Sequence, residues 1–257
     1  MDNFTKLYIQ RCEPELAKFH FKRKRTTFIR VVNDVMQNVV LEKLHGGREY
    51  RVLFSVIPLC LPIKKTYIIN GAYAHELRRF EIVRGTMAFD CWECDPKSNE
   101  CIQACIESIT QFIRVHLLPF FECANCCRTA LPQLIHLERR FNENRKVSLQ
   151  LAGIQDAART TDGVNLLDSV KYYMALKNGD YDFALKCRQA LEQQNAHSYQ
   201  DMMARGWLSP KNKLEREHAL QALREEIDRL QAGDTSYFHQ LLLQNEVYSR
   251  ESLKGII

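Results

Sequence analysis

The sequence predicts an α+β protein: an N-terminal antiparallel sheet of four to five strands packed by helices, followed by an all-helical C-terminal region. Three observations predict it. A helical pattern over residues 3–20 runs into β-branched segments joined by short turns. Links that short cannot make parallel crossovers, which need about a dozen residues or more. From Ser98 onward the apolar period changes to that of helices.

Phe4, Leu7, Tyr8, Cys12, Leu16 and Phe19 fall at helical spacing. Pro14 is expected to kink or restart that helix. Lys22, Arg23, Lys24 and Arg25 follow its end, where the helix dipole favours cations. Thr26–Val32 and Val35–Leu44 are β-rich runs separated by Asn33-Asp34, a two-residue hairpin signal. His45–Glu49 reads as the next turn and Tyr50–Cys60 as a third strand, with Val52, Phe54 and Val56 on one face. Glu76–Val83 and Thr86–Trp92, around Arg84-Gly85, are the expected fourth and fifth strands.

Ser98 and Asn99 suit a helix N-cap. Ile102, Cys105, Ile106, Ile109, Phe112, Ile113 and His116 then form one stripe that stops before Pro119. Residues 128–143 read as another helix, and the polar stretch 144–163 as a loop or joint. That joint divides an α+β domain, 1–145, from a helical subdomain, 164–257. Leu166–Leu176 and Tyr181–Gln193 make a helical hairpin around Asn178-Gly179-Asp180, with Gly179 suited to a left-handed cap. Tyr173–Leu185 resembles one tetratricopeptide-type turn, where a solenoid needs about three repeats. Leu214–Leu230 and Tyr237–Leu253 are the remaining helices.

Hydrophobic residues are 46% of the chain and charged residues 26%, the balance of a globular protein with a sizeable core. The net charge of +5 is uneven: residues 1–90 hold sixteen Lys and Arg against nine Asp and Glu. That surplus suits an acidic or phosphate-bearing partner, and equally a solvated surface. No apolar run reaches the ~18 residues of a membrane span. Met1–Lys6 runs straight into the helical pattern without a secretory leader. The expected location is therefore the cytoplasm, with the ten cysteines reduced.

A helix ends in Phe21-Lys22-Arg23-Lys24-Arg25-Thr26-Thr27-Phe28, followed by Val39-Val40-Leu41-Glu42-Lys43. Then come the Phe54 strand, a strand ending in Trp92, and an Ile-rich helix closing with Leu118-Pro119-Phe120-Phe121-Glu122. This succession resembles the bacterial domain of unknown function 4304 family over about residues 3–125, with weaker similarity at Lys177–Tyr181. The family has Gln where this chain has Glu42. The resemblance implies no assigned activity and carries over no catalytic residue. Some small bacterial proteins of this class look like immunity or interaction proteins, a likeness of class alone.

The sharpest chemical pattern is a pair of CxxC motifs, Cys91/Cys94 and Cys123/Cys126, with Cys101 and Cys105 between them. Zinc takes about four such ligands in a tetrahedron. A helix from Asn99 to Leu117 would hold the two pairs roughly 25–30 Å apart, too far for one site. Buried thiols acting as small hydrophobes are the first reading, with zinc or redox chemistry as alternatives, and no cofactor is expected. The sequence has no GxSxG, HExxH, GxxxxGK or GxGxxG motif. Glu225-Glu226 reads as solvated charge.

Basic residues interleaved with Phe19, Phe21 and Phe28 fit a single-strand binder, although the same rings fit a core. Three functional readings follow, in order. The first is a non-catalytic protein-binding module, immunity proteins being one form. The second is a nucleic-acid-binding module using Lys22, Arg23, Lys24, Arg25, Lys43 and Arg48. The third is an enzyme of unrecognised type.

Overall fold

A computed structural model of the chain describes residues 2–64, 91–151 and 166–256. Helix α1, Asn3–Ala17, starts at Asp2, whose carboxylate accepts from the Thr5 N–H at 2.8 Å. Pro14 sits inside α1, which continues through Ala17 without restarting. It removes only a bond to Gln10, an exposed residue within reach of water. The helix ends with Phe21 N–H bonded to Leu16 O and His20 N–H to Ala17 O, a Schellman pattern with His20 at φ 65°.

The sheet is an antiparallel meander, in order β1 Lys22–Lys24, β2 Thr27–Val32, β3 Val35–Leu44, β4 Glu49–Pro58 and β5 Cys91–Glu93. Val32 pairs with Val35, so Asn33-Asp34 forms the two-residue hairpin that was expected. The β3–β4 turn needs glycine at Gly47, where φ is +95° and a Cβ would lie 2.6 Å from Lys43 Cε. β5 includes Trp92, which pairs with Tyr50. The expected strand Glu76–Val83, and the part of Thr86–Trp92 before Cys91, lie outside the described residues.

Helix α2, Asn99–Phe112, is capped by Ser98, whose hydroxyl accepts from Cys101 N–H. Its stripe Ile102, Cys105, Ile106, Ile109 and Phe112 is buried. The next turn, Ile113–Leu117, is a π-helix, before Pro119 removes a donor in α3, Leu118–Cys123. α1, α2 and α3 cover one sheet face. Phe4 stacks on Tyr50, Tyr8 meets Phe28, and Phe54 meets Phe112, Phe120 and Phe121.

Helix α4, Cys127–Leu151, runs through positions expected to begin a loop. Asn142–Leu151 contains no Gly or Pro, so nothing in that stretch stops the helix. Then follow α5 Leu166–Lys177, α6 Tyr181–Ala204, α7 Pro210–Gln231 and α8 Thr235–Leu253. Gly179, at φ 76°, caps α5 as expected, and Asp180 caps α6.

This helical region docks on the sheet. Tyr172, Tyr173 and Met174 share a core cluster with Val39, Phe54 and Cys60. On the other sheet face Leu253 and Ile256 join Ile29, Met36 and Ile57. Buried Ser249 on α8 donates to Leu61 O at 2.8 Å and accepts from Ile63 N–H at 3.0 Å. Among the described residues no helix is long and apolar enough to cross a membrane.

Candidate functional site

The basic residues occupy separate places. Lys22, Arg23 and Lys24 form the exposed edge strand β1, and Arg25, at φ 57°, is in the β1–β2 turn. Lysine on a short edge strand blocks pairing with another sheet, which explains part of the tetrad without a ligand. Arg23 Nε lies 2.9 Å from Glu13 Oε2. Lys43 is farther along β3 and ion-pairs with Asp2 at 2.6 Å. Arg48 lies in the β3–β4 turn, where its carbonyl accepts from Cys94 N–H at 2.8 Å. Phe21 and Phe28 are buried and Phe19 packs against the same core. Phe21 and Phe28 belong to the helix–sheet seam, and Phe19 is partly buried against it.

The cysteines regroup. Cys94, Cys101 and Cys105 place their sulfurs within 4.8 Å of one another. Cys94 follows β5, and Cys101 and Cys105 stand one turn apart on α2, so i,i+4 spacing puts both on one face. Asp95 N–H donates to Cys101 Sγ at 3.3 Å, and Cys105 Sγ–H donates to Glu93 O at 3.0 Å. Burial pushes the Cys94 thiol up to about 12, and the Cys105 and Cys101 sulfurs push the same way. Burial also raises Cys105. Cys123 ends α3 and Cys126 follows it, with Cys123 exposed and Cys126 beside Thr129 Oγ1 at 3.4 Å. Of the four sulfurs in the CxxC motifs, the cluster therefore takes Cys94. The sequence signal that would have found the other two is the i,i+4 pair just inside a capped helix N-terminus.

Between α1 and α2 runs a groove of about 540 Å³, lined among others by Leu7, Arg11, Glu15, Gln103, Glu107 and Arg114. Its charges oppose one another, with Arg114 3.3 Å from Glu15.

The most exposed large apolar side chain among the described residues, Trp207, lies elsewhere. α6 and α7 form an antiparallel arm, about 36 Å long for the 24 residues of α6. At its root Arg188 stacks 3.6 Å from the Tyr172 ring centroid and pairs with Glu226 at 2.7 Å, while Tyr172 Oη donates to the same carboxylate. Farther out, Glu192 meets Arg224 and Glu217 meets Tyr199. Between residues 189 and 219 no residue is buried. The tip carries Trp207 at 64% exposure, Leu214 at 54% and Met203 at 40%. Arg205 lies 4.8 Å from the Trp207 ring. Sequence reasoning missed this tip. Its signal was Gly206-Trp207-Leu208-Ser209-Pro210, a helix stop and start with Trp between them.

No family model, curated protein or solved structure matches this chain.

Proposed function

We propose that the protein is a non-catalytic protein-binding module that engages its partner through the tip of the α6–α7 arm. The observation that carries this reading is Trp207, 64% exposed at the end of an arm with no buried residue from 189 to 219. Tryptophan is enriched among the few residues that dominate interface energies. Arg205 packs on the indole and restricts it before any partner arrives. The ion pairs Lys211–Glu215 and Lys213–Glu217 balance charge beside the tip, which suits an apolar contact.

The test is a photo-crosslinking residue at position 203 of the full chain, which is 40% exposed on the tip and leaves Trp207 in place, expressed in its native host. A discrete adduct is expected from 203, and none from position 18 on α1. Against the protein so identified, Trp207→Ala should weaken binding on the order of 30-fold, as loss of about 2 kcal/mol would. Unchanged affinity in that variant would end the reading.

A further inference from the structure

We propose that Cys94, Cys101 and Cys105 form a binding site for one soft divalent cation, with Zn²⁺ as the fitting ion. The inference is independent of the arm.

Three sulfurs within 4.8 Å of one another need little movement to meet one ion. Zinc–sulfur bonds of about 2.3 Å in a tetrahedron put sulfurs roughly 3.8 Å apart. The backbone that carries the sulfurs is hydrogen-bonded in place. Cys94 N–H is held by Arg48 O at 2.8 Å, on the turn that leads into β4. Cys101 and Cys105 stand on the first turns of α2, fixed by the Ser98 cap. The helix N-terminus favours negative charge at Cys101, and the Asp95 N–H directed at Cys101 Sγ would stabilise the thiolate.

Cys105 Sγ–H now donates to Glu93 O, a bond that is given up when the metal displaces the thiol proton. Binding forms three Zn–S bonds and releases three thiol protons to solvent. The fourth position of the tetrahedron is left to water, as in sites with three protein ligands. Soft thiolate donors favour zinc or monovalent copper over calcium or magnesium.

The full chain, reduced under anaerobic conditions, is titrated with Zn²⁺ against a chromogenic chelator and with Co²⁺ by absorbance. One equivalent per chain is expected, and cobalt should show thiolate charge-transfer bands with the intense visible bands of a tetrahedral site. Zn²⁺ should protect Cys94, Cys101 and Cys105 from alkylation while exposed Cys123 keeps reacting. Cys101→Ser changes a half-buried position and should lower affinity by at least about 100-fold, the upper end of what a lost supporting contact does. The Cys123→Ser/Cys126→Ser double variant should bind as the unaltered chain does. No charge-transfer bands in the unaltered chain, protection centred on Cys123 and Cys126, or undiminished affinity in Cys101→Ser would each overturn the site. If Cys101→Ser fails to fold, the spectrum and protection map of the unaltered chain decide.

Discussion

Arg30 Nη2 donates to Glu122 Oε1 at 2.6 Å, joining strand β2 to the last turn of α3. The guanidinium is 7% exposed and the carboxylate 52%. Arg30 also donates to Gln37 Oε1 at 2.6 Å and Phe19 O at 3.0 Å, with its plane near the Phe21 ring. Gln37 in turn donates to Phe121 O and Ala124 O. One buried cation thus organises the α1 exit, the sheet and α3.

The two ends of this pair should be unequal. Arg30→Met leaves Gln37 Oε1 and Phe19 O without their donor and should cost about 2–4 kcal/mol, since each buried unsatisfied group costs about 1–3 kcal/mol. Glu122→Gln leaves the arginine its other acceptors and changes an exposed partner, so about 0–1 kcal/mol is expected. Urea denaturation of both variants checks this. Equal losses would show that the ion pair, rather than the buried network, carries the stability.

Ile109 is fully buried in the α2 stripe facing the sheet. Ile109→Asp places an unpaired charge there and should cost roughly 3–5 kcal/mol or unfold the protein. A thermal melt like that of the unaltered chain would contradict the packing of α2.

His20 occupies the left-handed cap of α1 at φ 65°, a position glycine fills without steric strain. Its side chain is exposed. His20→Gly should therefore raise stability by about 1 kcal/mol. A loss in denaturant midpoint would mean that the imidazole contributes more than the backbone strain removes.

Burial opposes ionisation of Asp2, but hydrogen bonds from Lys43 and from Thr5 outweigh it and hold its pKa down to about 2. A depressed carboxylate contributes stability that is fully present above its unfolded value near 3.8 and lost as pH falls through about 2. Asp2→Asn keeps a capping side chain and removes the charge. It should cost about 0–1 kcal/mol at neutral pH, because Asp2 and Lys43 are both partly exposed. The gap between the two proteins should close between pH 4 and 2. A gap that stays constant across that window would show that the charge contributes nothing.

Much of the architecture was legible because it is encoded over a few residues. Asn33-Asp34 announces its hairpin, Gly179 its helix cap, and the Ile102–Phe112 stripe its buried face. Helix ends were less legible. Tyr181 begins α6 as expected, but the helix runs past Gln193 to Ala204, because helix-compatible polar residues give no stop before Gly206. The candidate sites were the least legible. The CxxC motifs linked Cys94 to Cys91, whereas the fold sets it beside Cys101 and Cys105. Trp207 stands out only in the fold, where residues 189–219 of the arm around it include no buried residue.

The sequence by itself determined the order and type of most elements, the antiparallel sense of the first sheet pairings and the apolar faces. These follow from backbone periodicity and turn chemistry, which act between near neighbours. Tertiary structure alone decided which distant groups meet. The Asn33-Asp34 turn is local, yet Asp34 accepts from Cys127 N–H and Asn33 O accepts from Arg250. Ser249 finds Leu61 and Ile63 across most of the chain length. Such contacts depend on the summed geometry of every intervening element, and no short-range pattern carries that sum.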